Sequence, residues 1–213
     1  MKLAGKIGLT VLAVVMVIAA IAGYRYATFS AADIGNGAGI KIAAAPAIDI
    51  AQAAQNLSAA IRFQTISLQN PAENDVAQWD ALQSWMQATY PAAHGAMQRE
   101  LVASRTMIYT WAGSDTALQP IILMAHQDVV PVTSGTEKDW KHEPFSGEIV
   151  DGAVWGRGAV DDKGSLITIF EALEALARQG FQPKRTIYIV SGHDEEAGGA
   201  GAVAAANYWL SAG

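Results

Sequence analysis

Two short apolar runs constrain this chain more than any other feature in it. Ile121-Ile122-Leu123-Met124 follows Pro120 and stops at a polar cluster, and Thr186 to Val190 follows Pro183 and stops in the same way. Continuous apolar runs of this length, bounded by Pro and polar residues, read as strands buried on both faces. Between them Leu166, Ile169, Phe170, Leu173 and Leu176 recur at helical spacing, bracketed by Gly164 and Gly180. Strand, helix and strand in that order imply parallel neighbours joined by a right-handed crossover. The expected fold class is therefore α/β, a mixed, mostly parallel sheet flanked by helices. A further strand is expected over Met107 to Trp111. Apolar spacing predicts one helix over 48–61, from Ile48, Ala51, Ala54, Leu57 and Ile61. A second is predicted over 74–92, with Val76, Trp79, Leu82, Trp85 and Met86 inward and Pro91 at its limit.

The first residues are a different material. Lys2 and Lys6 precede an uncharged apolar run over residues 7–23, and Tyr24-Arg25-Tyr26 closes it. The run is about the shortest that crosses a bilayer as a helix, and its basic and aromatic flanks suit the two interfaces. Two readings fit, an uncleaved transmembrane anchor and a signal segment cleaved near Ala20-Ile21-Ala22. The length of the run and the Tyr-Arg-Tyr stop favour the anchor. The expected organisation is an anchor or signal over 1–26, an Ala- and Gly-rich linker over 27–46, and a domain over 47–213. Either reading exports the domain. It is expected to be anchored on the extracytoplasmic (periplasmic) side through residues 7–23 or, alternatively, secreted after cleavage.

With 51% hydrophobic residues among 213, the chain can bury a substantial core. A formal net charge of −6 gives no basic footprint, so nucleic acid is not an expected partner. There is no cysteine, which removes disulfides and thiolate zinc sites and leaves His, Asp and Glu to hold any metal.

The chemistry-bearing residues lie where the two apolar runs end. Ala125-His126-Gln127-Asp128 continues the first run, and in an extended chain His126 and Asp128 project to one side. A carboxylate beside a histidine fixes its tautomer and makes its free nitrogen a better metal ligand, although such a pair also serves as an ordinary hydrogen bond. Ser191-Gly192-His193-Asp194-Glu195-Glu196 continues the second run. Adjacent acids raise one another's pKa unless cations neutralise them, and a solvated acidic loop is the plainer alternative. The third piece, Gly156-Arg157-Gly158-Ala159-Val160-Asp161-Asp162-Lys163-Gly164, is a glycine-punctuated turn leading into the crossover helix. It carries no Gly-Lys-Ser/Thr and holds two acids, so it is a poor phosphate loop. Ligand sites in open α/β sheets lie at the carboxyl ends of strands, where all three pieces converge. His94, His142 and His193 lack a comparable pairing and read as structural or surface residues. Arg157 and Lys163 read as structural within the turn, with contact to substrate as the alternative, and Trp140 and Trp155 as residues near the site.

Four blocks together carry a resemblance. Met124 through Val132, Trp140 with Pro144-Phe145-Ser146-Gly147, Val154 through Gly164, and Gly192 through Glu196 are similar, in order and spacing, to the signature blocks of the carboxypeptidase S and aminoacylase-type family of co-catalytic zinc metallopeptidases. The resemblance covers roughly residues 47 to 213. It implies that His126 binds one zinc, that Asp161 bridges two, and that Glu196 binds the other. It implies Glu195 as general base, Asp128 as the residue orienting His126, and a cis Asp161-Asp162 peptide. Two Zn2+ ions are implied in the complete enzyme, with Co2+ or Mn2+ suiting similar ligands. The implied substrate is a peptide, cleaved by a carboxypeptidase-type exopeptidase, or alternatively an N-acyl amino acid cleaved by an amidohydrolase.

The chain departs from the family's pattern in its length. Relatives use a further acidic ligand downstream of the glutamate pair and a last zinc-binding histidine near the end of a much longer chain, together with a smaller lid and dimerisation domain. The domain over 47–213 is thus expected to be a partial catalytic domain, with homodimers confined to the complete protein. Taken literally, the polypeptide is expected to bind zinc weakly and to be inactive. A membrane-tethered binding protein that kept the fold without catalysis is the alternative of another class. Such a protein has no need of Glu195, which is present.

Overall fold

A computed structural model describes residues 2–28 and 45–211, with the side chains of 2–9 left aside. Most of the stretch read as a linker, residues 29–44, lies outside the described residues. Two compact units fall within Met1–Ala44 and Ala45–Gly213. In the first, α1 (Lys2–Thr28) is a single helix. Its segment Thr10–Thr28 has a mean hydropathy of 1.8 and is exposed all round, so by length and composition it suits a membrane span. A signal sequence meets the same criterion.

The second unit opens with α2 (Ile50–Ile61), whose first turn is capped by the Asp49 side chain accepting from the Gln52 N–H at 3.0 Å. The helix expected over 74–92 is two helices, α3 (Ala77–Thr89) and α4 (Pro91–Ala96). Pro91 ends the first and, having no N–H to lose, begins the second. Trp79, Leu82 and Met86 are buried as expected and Trp85 is half-buried, but Val76 sits at the N-cap and is exposed.

The sheet follows. β1 (Gln98–Val102) and β2 (Thr106–Trp111) form a hairpin, then come β3 (Ile121–His126), a small β4 (Ile149–Val150) and β5 (Ala153–Val154) hairpin, α5 (Lys163–Arg178), β6 (Ile187–Gly192) and α6 (Ala200–Ser211). The order in the main sheet is β1-β2-β6-β3. β1 pairs antiparallel with β2, β2 antiparallel with β6, and β3 parallel with β6. Three of the four strands thus share a direction, with β2 reversed, although only one adjacent pair is parallel. β1 gave no sequence signal because Gln98, Arg99 and Glu100 are polar and the strand lies at the sheet edge.

Period-two alternation in β2 feeds two cores. Met107, Tyr109 and Trp111 face the cluster built with α3, α4 and α5, in which Leu82, Met86, Tyr90, Leu166 and Phe170 are fully buried. Ile108 faces the other side, with Val190 and Ala205 from β6 and α6. The phenyl ring of Phe170 stands 5.5 Å from Tyr90 and 5.2 Å from Tyr109, with His94 at 5.6 Å.

The expectation that Ile121–Met124 is buried on both faces is not met. Among the described residues β3 pairs on one edge only, and Ile122 and Met124 are 50% and 64% exposed. An apolar run signals strand and burial together, but its place in the sheet is decided by pairing, which the run itself does not encode.

Candidate metal centre

Parallel pairing sets His126 opposite Gly192, so the residues that follow each strand emerge at the same end of the sheet. The crossover helix must start at that end to return to the foot of β6, which brings Asp161 and Asp162, just before α5, to the same place. Gly156 and Gly158 have φ of +153° and +84°, conformations the turn needs and that favour glycine. The Asp161-Asp162 peptide is cis, as the resemblance implied.

The result is a compact donor set. Ligand atoms of His126, Asp161 and Glu196 all lie within 4.8 Å of one another. His126 Nε2 is 2.9 Å from Asp161 Oδ1 and 3.9 Å from Glu195 Oε2. The His126 side chain is largely buried, whereas those of Asp161 and Glu195 are mostly exposed, so the group opens to solvent on one side. The five residues singled out from the sequence, His126, Asp128, Asp161, Glu195 and Glu196, are therefore brought together.

Electrostatics follow from this crowding. The His126 Nδ1–H donates to the Asp128 carbonyl at 3.0 Å, and Nε2 faces a carboxylate. Burial pulls the imidazole pKa down, but its hydrogen bonds to Asp128 and Asp161 outweigh that and lift it to about 9. Burial raises the Glu196 carboxyl above its ordinary range, and the neighbouring Asp161 raises it further. One imidazole nitrogen and several carboxylate oxygens, crowded until one acid resists ionisation, are a donor set that fits a divalent cation. Nitrogen and oxygen ligands suit zinc and also cobalt or manganese.

Asp128 does more than was expected of it. Its carboxylate is fully buried and lies 3.3 Å from His126 Nδ1, but its two oxygens also accept the backbone N–H groups of Glu195, at 3.1 Å, and Glu196, at 3.0 Å. One side chain thus orients the histidine and holds the turn that carries the glutamates. These hydrogen bonds, with one from Ser67, keep its pKa below the ordinary carboxylate range despite burial, which acts the other way.

Several supporting residues gave no functional signal in the sequence. Ser67 comes beside Asp128 because Ile66 and Val129 form a parallel bridge. The Trp79 indole N–H donates to the His193 carbonyl at 3.1 Å, and the Ser67 hydroxyl oxygen lies 3.3 Å from the same carbonyl. Gln127 is fully buried. Its amide donates to the Arg105 and Ser191 carbonyls, both at 2.9 Å, and accepts from Gln83 at 2.8 Å. A polar side chain between two site residues of a strand points to the opposite face, and that is the signal that identifies it. Asp162, left out of the expected ligand set, accepts the His126 backbone N–H at 3.3 Å and so makes no capping bond to α5.

The remaining histidines divide. His193 lies 2.7 Å from the Thr106 hydroxyl, and His94 lies between the Tyr90 carbonyl and the Tyr109 hydroxyl, both structural roles as expected. His142 departs from the reading that it lacks a pairing, since its Nδ1 is 2.7 Å from Glu148. It lies with Trp140 and Trp155 along a cavity of about 440 Å³ that none of the five site residues lines.

Residues 122–212 match the family described as peptidase family M20/M25/M40. Over these residues the chain belongs to this family. It is 44% identical over 148 residues to a probable carboxypeptidase S-like 2 of Dictyostelium discoideum, covering 68% of this chain and 28% of that protein. It is 39% identical over 145 residues to a mouse N-fatty-acyl-amino acid synthase/hydrolase, covering 67% of this chain and 28% of that protein. The crystal structure of human carnosine dipeptidase 1 superimposes with a TM-score of 0.57 at 21% identity, over 70% of this chain and 33% of that one, which shows a shared fold. The chain thus spans less than a third of the length of these two curated relatives.

Proposed function

We propose that this chain supplies the core of a zinc-dependent hydrolase that cleaves a peptide bond as a carboxypeptidase-type exopeptidase. The observation that carries the reading is the meeting of His126, Asp161 and Glu196 within 4.8 Å at the carboxyl ends of β3 and β6. These three residues would hold the metal. Bound divalent ions supply Lewis acidity and an activated water there. Glu195, exposed beside His126, takes the proton of the attacking water and returns it to the leaving amine nitrogen. Asp128 holds the backbone of Glu195, so the base keeps its place relative to the imidazole.

A second reading keeps the same residues and changes the acyl group. The likeness to an N-fatty-acyl-amino acid synthase/hydrolase favours an N-acyl-amino-acid amidohydrolase. The reading as a non-catalytic binding protein is weaker because Glu195 serves neither packing nor metal ligation, being exposed and outside the ligand trio. The α1 helix supports a membrane-anchored, extracytoplasmic placement, with secretion after cleavage as the alternative.

Zinc titration of the chain in mild detergent tests the ligand set. His126→Ala and Asp161→Ala are expected to weaken sharply the binding seen in the unsubstituted protein, and unchanged binding in either would refute the reading. In a version of the length of the relatives, Glu195→Ala is expected to keep its metal and lose turnover by several orders of magnitude. Dipeptides and fatty-acyl amino acids as rival substrates separate the two chemistries.

A further inference from the structure

Asp161 is the most exposed of the proposed ligands, with 76% of its side chain open to solvent, and its own carboxylate is steadied only by His126 Nε2 among the described residues. What aims it must therefore lie in the backbone on either side. Asp162 ties that backbone to β3 through the His126 N–H. Lys163 runs the other way. It is fully buried, and its Nζ donates to the Ala60 carbonyl at 3.1 Å and to the Phe63 carbonyl. Ala60 lies in the last turn of α2, at the negative pole of that helix, and Phe63 follows directly on its C-cap, Arg62. No carboxylate lies within ion-pairing distance of Nζ among the described residues.

A buried amino group without a carboxylate partner is costly, so its hydrogen bonds to those carbonyls are what keep it in place. Its stem runs past Gly158, where a Cβ would stand 2.7 Å from Val129 Cγ1 and 3.4 Å from Lys163 Cδ. The three consecutive residues Asp161, Asp162 and Lys163 thus point to the site, to β3 and to α2 respectively. The turn is gripped on two sides, and the residue between the grip and the loop is the one that faces the metal centre.

From this geometry we infer that Lys163 is a positioning residue for the metal centre, anchoring the start of α5 to the end of α2 so that the Asp161 carboxylate is held toward His126. The inference rests on the metal-binding reading of His126, Asp161 and Glu196. It assigns Lys163 no contact with substrate, from which its burial excludes it.

The test compares the full chain with Lys163→Met, which keeps the stem and removes the donors, in mild detergent. Amide hydrogen exchange of the metal-free protein reads the anchor, and titration with zinc alone reads the site. The expected result is exchange at the His126 amide faster by about tenfold or more, with the amides of β2 and β6 still protected. Zinc affinity is expected to fall by about 10- to 100-fold, the range for residues that act on a ligand from behind. In an Asp161→Asn background the same substitution is expected to cost little further affinity, because the two act through one carboxylate. Zinc binding that Lys163→Met leaves unchanged overturns the inference alone. Absence of zinc binding in the unsubstituted chain, with the His126 amide still loosened by Lys163→Met, overturns the metal reading and leaves the anchor standing. If Lys163→Met does not fold, Lys163→Arg, which keeps the charge, is expected to shift both readouts in the same direction by less. A folded Lys163→Arg unchanged in both would assign the lysine to stability only.

Discussion

Asp128→Ala separates the roles of the two aspartates that touch the His126 imidazole. The Asp128 carboxylate is fully buried and accepts two backbone N–H groups, those of Glu195 and Glu196, besides its contact with His126 Nδ1. Leaving a buried donor unpaired costs about 1–3 kcal/mol, so two of them set a ceiling of about 6 kcal/mol. Glu195 is exposed and Glu196 half-buried, so water reaching that turn recovers part of the loss. The expected destabilisation is about 2–4 kcal/mol. Asp161 is mostly exposed and makes one contact, so Asp161→Ala is expected to change stability by less than about 1 kcal/mol while removing a proposed ligand. The assay is urea unfolding of the full chain in mild detergent, followed by two spectroscopic probes and paired with zinc titration. Asp128→Ala should lose both stability and zinc affinity, and Asp161→Ala zinc affinity alone. A loss below about 1 kcal/mol for Asp128→Ala, or equal losses for both variants, would refute the assignment of Asp128 as the clamp on the glutamate turn.

The remaining expectations concern pH and packing. Without metal His126 is protonated up to about pH 9, so a cation at Nε2 displaces a proton. Apparent zinc affinity, measured by competition with a chelator, should therefore rise about tenfold per pH unit below that value and level off above it. A flat profile would remove His126 from the ligand set. Phe170→Ala empties the centre of the aromatic cluster and should cost about 3–5 kcal/mol in the same unfolding assay. Gly147→Ala places a Cβ 2.2 Å from the Ser58 carbonyl oxygen at a φ of +63°, so it should lower the thermal midpoint measurably, whereas Gly95→Ala, with open space around it, should not.

Much of this molecule is written locally. Leu166, Phe170 and Leu173 mark α5 by their spacing, and the apolar runs before His126 and before Gly192 mark β3 and β6. The uncharged stretch behind Lys6 marks α1 in the same way. Each signal arises within a few residues, because helix and strand periodicity are properties of a short stretch of backbone. The polar clusters at the strand ends were legible for a related reason. Parallel strands joined by a helix must end together, and that places His126, Asp161 and Glu196 in one neighbourhood before any coordinate is known.

Other features depend on which segments meet across the fold. The apolar run of β3 reads the same whether the strand lies inside a sheet or at its edge, and only pairing showed the edge. Polar β1 is a strand because β2 offers it hydrogen-bonding partners. Nothing in the sequence around Asp128 says that its oxygens hold the amides of residues some 67 positions away, or that Lys163 reaches carbonyls about 100 positions before it. Hydrogen bonds are short and directional, so their partners are chosen by the packing of α2, α5 and the sheet, whereas the patterns that make those elements are set within each segment alone.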